Sequence, residues 1–281
     1  ENDKSQPAFY ECCYGDIDAN ADIETILSAW ELLGGELLSP ISTIVLIVVA
    51  GFTSMISAAF GAGGGLMLLV IMASMLPMGV VIPVHGLVQL GSNANRFLFT
   101  FKHIDAAMFI YFSLGGVLGA LVASSIVTSI PLELMKIVVA VFVLYLLWGV
   151  TPKLRETSKL WRVFAGLWTS FTSMFVGASG PLVGSCLYVN NYDKLKFTAT
   201  FSSCMTVQHT LKAILYGAVG FAFWQWLPLV ILMILSGAIG TWLGLKLLHR
   251  ISSDKFKKIF RLVLTVLSLQ LAWQGISYAL N

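Results

Sequence analysis

From residue 41 onward the chain runs as long apolar stretches broken by glycine, proline and charge. The pattern predicts ten helical segments, near residues 41–60, 66–78, 82–101, 106–128, 132–150, 163–178, 181–190, 197–217, 226–248 and 257–279. Segments 66–78 and 181–190 are too short to cross ~30 Å of hydrocarbon alone. Each follows a small-residue break, as a discontinuous or re-entrant helix does. The first 40 residues read differently. They carry nine of the fourteen acidic side chains and lack the basic start and small-residue cleavage site of a signal peptide. Ile23, Ile26, Leu27, Trp30, Leu33 and Leu37 fall at helical spacing there, which predicts an amphipathic helix on the membrane surface.

An internal repeat organises the rest. Gly61-Ala62-Gly63-Gly64-Gly65-Leu66 aligns with Gly177-Ala178-Ser179-Gly180-Pro181-Leu182 at a shift of 116, and at that shift Ser92, Asn93 and Arg96 meet Gln208, His209 and Lys212. After a five-residue insertion, Gly116 and Gly119 meet Gly237 and Gly240, and Glu133 and Lys136 meet Asp254 and Lys257. The expected organisation is an acidic extracytoplasmic segment (1–40), a first membrane repeat (41–150), a basic cytoplasmic linker (151–162) and a second membrane repeat (163–281). Placing the N-terminus outside and alternating through ten segments puts thirteen Lys and Arg residues on the cytoplasmic side, with only Lys4 and Lys136 opposite. The same alternation puts the C-terminus outside and turns the second repeat upside down relative to the first. The fold expected is therefore an all-α integral membrane protein of two inverted repeats, a geometry many secondary transporters use.

Composition sharpens this reading. Of 281 residues 57% are apolar and 11% charged, against roughly 25% charged in a soluble domain, and the mean hydropathy is +0.85. Ten connected segments leave no room for a globular catalytic domain, no HExxH pattern occurs, and the small excess of +3 is scattered rather than gathered into a basic stripe. An enzyme and a nucleic-acid partner are both excluded on this reading. The bilayer is one expected partner, a small anion the other, and a homo-oligomer stays open. Cys12 and Cys13 are adjacent, whereas Cys186 and Cys204 fall in apolar segments and are expected to be packed there.

The candidate chemistry lies in the polar residues inside the segments. Arg96 and Lys212 are the only cations set more than four residues in from a segment end, and no carboxylate lies that deep. A cation near the bilayer centre costs about 2.5–3.5 kcal/mol on insertion scales, and an anion held between the repeats would offset both. His85, Gln89, Ser92 and Arg96 recur at steps of four, three and four, which gathers them on one helix face with Asn93 beside it. Ser202, His209, Lys212 and Tyr216 form a comparable face, flanked by Gln208. The breaks at Gly63, Gly64 and Gly65 and at Ser179 and Gly180 precede short helices whose N-termini offer backbone N–H groups to an anion. No cofactor is expected. With no acidic relay inside the segments, H+ taken by His85 or His209, or Na+ held by carbonyl oxygens at the breaks, is the coupling ion left to consider.

The Gly-Ala-Gly-Gly-Gly run followed by HGLVQLGSNANR, weakly duplicated in the second half, resembles the sulfite exporter TauE/SafE family, also called the toluenesulfonate uptake permeases, over about residues 41–279. The resemblance implies an inner-membrane secondary transporter of sulfur-containing anions such as sulfite, thiosulfate or organosulfonates, in a bacterial cell. Its glycine motif maps onto Gly61, Gly63, Gly64 and Gly65, whereas Ser179 and Pro181 replace glycines in the second copy. An anion channel and a transport-inactive membrane scaffold are the alternative readings. Either way Arg96 and Lys212 are expected to supply positive potential, and Gln89, Ser92, Asn93, Ser202 and Gln208 to donate hydrogen bonds.

Overall fold

The computed structural model describes residues 37–60, 63–127, 129–149, 158–188, 190–247 and 253–280. The expected surface helix, Cys12, Cys13, Gly61 and most of the basic linker lie outside the described residues. Ten α-helices follow one another: α1 (Pro40–Phe60), α2 (Gly64–Met75), α3 (Met78–Thr100), α4 (Ala106–Val127), α5 (Leu132–Trp148), α6 (Lys159–Val176), α7 (Gly180–Tyr188), α8 (Lys194–Ala218), α9 (Leu227–Leu247) and α10 (Ser253–Leu280). Two short 3-10 turns, Phe101–His103 and Phe223–Gln225, lead into α4 and α9. Among the described residues there is no strand, and each apolar segment has become one helix.

Local chemistry sets the helix starts. Pro77 and Pro131, which lack an N–H to donate, precede α3 and α5. The Ser158 hydroxyl accepts from the Trp161 N–H to cap α6, and Asp193 accepts from the Lys196 N–H to cap α8. At the two breaks the backbone enters the left-handed region at Gly63 (φ 107°) and Gly177 (φ 85°), which glycine alone adopts cheaply. At 1.5 Å per residue, the twelve residues of α2 and nine of α7 fall short of a bilayer core.

Packing is closest where side chains are absent. The most extensive contacts join α4 to α6, α1 to α9, α3 to α8 and α5 to α10. Exchanging the first five helices for the last five maps this set onto itself. In the α4/α6 seam, a Cβ on Gly115 or Gly119 would strike the Val163 or Leu167 carbonyl, and one on Gly166 would strike that of Phe112. In the α1/α9 seam, Gly240 lies against the Gly51 carbonyl and Gly244 against that of Met55. Small residues let backbones approach this closely where lipid gives no hydrophobic drive for helices to associate.

The outward faces of α1, α4 and α9 expose Ile44, Val48, Leu114, Leu118, Ile231 and Ile239. These three helices, over Pro40–Ala58, Ala106–Val127 and Leu227–Gly244, are long and apolar enough to cross a membrane. A continuous apolar exterior of this kind is stable only in lipid, and the chain is a membrane protein. One core cluster gathers Leu69, Met72, Val84, Val139, Leu229 and Leu264; a second holds Cys186 and Cys204 with Phe112, Leu187 and Phe201, so both cysteines are packed, unbonded and buried.

Replacing Gly119 or Gly240 by leucine is expected to cost at the upper end of the ~1–3 kcal/mol typical of overpacking, because a backbone carbonyl is what must yield. Detergent-solubilised variants should show a lowered thermal midpoint and reduced monodisperse yield by fluorescence-detected size exclusion. A Leu118→Ala variant on the outward face should show neither change.

Candidate functional site

The middle of α3 crosses the middle of α8, and the two breaks close on the same region. Between them lies a small chamber with a cavity volume of about 40 Å³, room for a few water molecules as the side chains stand. Of the residues singled out from sequence, His85, Gln89, Asn93, Arg96, His209, Gly63, Gly65 and Gly180 line it. Ser92, Lys212, Gln208, Ser202, Gly64 and Ser179 stand behind its walls.

Each of those in the second row holds something else. Gln208 accepts from the Ser179 hydroxyl at 2.6 Å and donates to the Thr169 and Ser170 hydroxyls at 2.7 and 3.0 Å, tying the second break to α6. The Lys212 ammonium, fully buried, donates to the Gly177 carbonyl at 2.7 Å. One turn on, the Tyr216 hydroxyl donates to the Met174 carbonyl at 2.8 Å. These carbonyls are the orphan acceptors at the C-terminal end of α6, where the helix dipole is negative. That end, rather than a carboxylate, is the counterpart of the Lys212 charge. The Ser202 hydroxyl turns back to the Ala199 carbonyl of its own helix, and Gly64 packs against Thr53 and Ser57 of α1.

The lining residues are held differently. His85 Nε2 lies 2.9 Å from the Gly65 carbonyl and 3.3 Å from Gln89 Nε2. The Asn93 amide donates to the Gln89 carbonyl at 2.8 Å, so its Oδ1 is the unused acceptor. The His85 and His209 rings meet edge to face, 6.4 Å between centroids. His85 Nδ1, Asn93 Oδ1 and both nitrogens of His209 are buried without a hydrogen-bond partner among the described residues. Each such group costs about 1–3 kcal/mol, a concentration that marks a functional region rather than a settled core. Arg96 reaches Ser92 Oγ and the Ser92 carbonyl only at 3.4 Å, and the residue lines the chamber. A Cβ on Gly65 would sit 2.5 Å from the Gln89 amide nitrogen, so any larger residue there would displace the Gln89 side chain.

Phe201, Met205, Ala178 and Pro181 also line the chamber, and sequence reasoning passed over them. The repeat itself carried the signal: at the shift of 116, Phe201 matches His85, Met205 matches Gln89, His209 matches Asn93 and Pro181 matches Gly65. Equivalent positions in the two halves face one space, polar on α3 and largely apolar on α8. Among the described residues no cluster of His, Cys, Asp and Glu is arranged to hold a metal ion.

An α-helical membrane protein with a cation and two short-helix N-termini around an internal chamber belongs to the class of small-solute membrane proteins. The chain belongs to the sulfite exporter TauE/SafE family, which matches residues 46–271. No curated protein and no solved structure matches it.

A separate polar cluster binds the two halves at the loops. Asp105, just before α4, accepts from the Met108 N–H at 2.9 Å and the Tyr192 hydroxyl at 2.7 Å, and Arg162 of α6 lies 3.7 Å away. The Asp105 N–H donates to the Thr200 hydroxyl of α8 at 3.0 Å. Burial alone would raise the Asp105 carboxyl, but these donors and the Arg162 and Lys196 charges outweigh it and hold it below its ordinary value. A depressed folded value means the cluster stabilises the protein above the unfolded carboxyl range, about pH 4, and that this contribution disappears as pH falls through the lower folded value. Asp105→Asn is therefore expected to lower the thermal midpoint at neutral pH and to flatten its acid dependence, as read by a pH series of thermal unfolding.

Proposed function

We propose that the chain is a secondary transporter that carries a sulfur-containing anion across the bacterial inner membrane by alternating access between two inverted five-helix repeats. The observation that carries the proposal is that Arg96 lines a chamber bordered by the starts of both α2 and α7. A helix N-terminus attracts anions through its unpaired N–H groups and its dipole, and two of them beside a guanidinium leave an anion as the best complement. Asn93, Gln89, His85 and His209 supply the polar contacts, and Phe201 and Met205 provide an apolar flank suited to the organic part of a sulfonate. Repeat-equivalent positions lining one space support a site opened in turn to the two sides of the membrane.

Orientation is supported by the charges. Lys102 stacks on Phe101, Lys159 on Tyr111, Lys196 on Tyr192, Lys246 on Trp242 and Arg261 on Trp148. All five cations lie at helix ends that the positive-inside reading assigns to the cytoplasm, and aromatic rings beside them suit an interfacial belt. Both termini are then extracytoplasmic. For coupling, His209 is the favoured proton carrier because both its ring nitrogens lack partners among the described residues, with sodium at the break carbonyls as the competing ion.

Arg96→Ala is expected to reduce uptake of sulfite and p-toluenesulfonate into proteoliposomes roughly ten- to hundredfold, the loss of a charged hydrogen-bond partner, with unchanged folding by size exclusion. Accelerated exchange of labelled anion against unlabelled anion inside would mark a carrier. Flux that never saturates and shows no counterflow would favour an anion channel, and no binding or flux at all would leave a scaffold.

A further inference from the structure

Lys212 stands one layer behind the chamber. Its ammonium donates to the Gly177 carbonyl at 2.7 Å and lines no part of the chamber wall, whereas Ala178, the next residue, does line it. The Gly177 carbonyl and the Ala178 N–H belong to one trans peptide plane, so they point in opposite directions. Holding the carbonyl toward α8 turns the N–H away from Lys212. That N–H has no acceptor among the described residues, and the following residue is fixed by the Ser179 hydroxyl bond to Gln208 at 2.6 Å. The lysine is itself held in a slot made for it: a Cβ on Gly86 of α3 would lie 2.8 Å from Lys212 Cδ.

We infer that Lys212 is a positioning residue, which fixes the Gly177–Ala178 peptide so that the Ala178 N–H is presented to the transported anion, without itself touching that anion. The inference rests on the reading of the chamber as an anion site. It assigns the two buried cations different work: Arg96 meets the anion, and Lys212 sets the backbone that meets it.

Two substitutions separate positioning from charge. Lys212→Met removes the bond and the charge together. Gly86→Ala keeps the charge but intrudes on the lysine stem, and the flexible stem gives way before α3 does. Binding of sulfite and of p-toluenesulfonate to the purified full chain, read by thermal shift and by uptake, is expected to weaken roughly ten- to hundredfold in Lys212→Met, the loss of one donor to a charged group. A weakening of at least about threefold is expected in Gly86→Ala. If Lys212→Met weakens binding and Gly86→Ala leaves it intact, Lys212 acts by charge alone and the inference is overturned. Wild-type binding in both variants overturns it too, and leaves the anion chamber standing. Should Lys212→Met fail to fold, Lys212→Gln, which drops the charge and keeps an N–H donor for the Gly177 carbonyl, takes its place: binding within about threefold of wild type supports positioning, and a loss of roughly tenfold or more overturns it. A wild-type chain that binds neither anion overturns the chamber reading and this inference together.

Discussion

A polar or charged group withdrawn from water must find a partner, and in this protein the ends of broken helices provide one. Among the described residues the Lys212 ammonium has no carboxylate partner; it answers the carbonyls left unpaired where α6 stops. That one contact explains several features at once. α6 has to stop inside the bundle, which Gly177 permits by turning left-handed. α8 has to lie against that stop, which brings Gln208 and Tyr216 onto Ser179 and Met174. α3 leaves room at Gly86, where a Cβ would lie 2.8 Å from Lys212 Cδ.

The two halves use the same plan with different chemistry. Along α3 the chamber is faced by His85, Gln89, Asn93 and Arg96; at the equivalent places on α8 it meets Phe201 and Met205, with His209 the polar exception. A site built this way has a charged wall and a greasy one. Such walls suit the proposed organosulfonate, which itself has two unlike ends.

Helices were legible in the sequence because apolar length, proline and glycine all spoke together, yet the edges were misread in a consistent direction. Residues 159–162, 194–196 and 253–256 look like polar linkers, but Ser158 and Asp193 cap helices that begin within the charged stretches. Charge marks where a helix leaves the bilayer, not where it ends. Gly64 and Gly65 look like part of a break but are the first residues of α2, and at Gly64 a side chain would strike the Thr53 carbonyl. In the site, Arg96 and the histidines stood out as polar residues in apolar surroundings. Phe201 and Met205 did not, since only their repeat partners distinguish them. The partner of Lys212 was invisible, because a backbone carbonyl has no letter in the sequence.

The glycine seams have a mechanical consequence. α1 of the first half is sewn to α9 of the second, and α4 of the first to α6 of the second, each backbone against backbone. The halves are thus interlaced like clasped fingers, and pulling them apart as two blocks would strip bare glycine surfaces that lipid cannot satisfy. Rearrangement is cheaper as a tilt of the short helices and of the α3/α8 crossing inside a frame whose four struts keep their grip on one another.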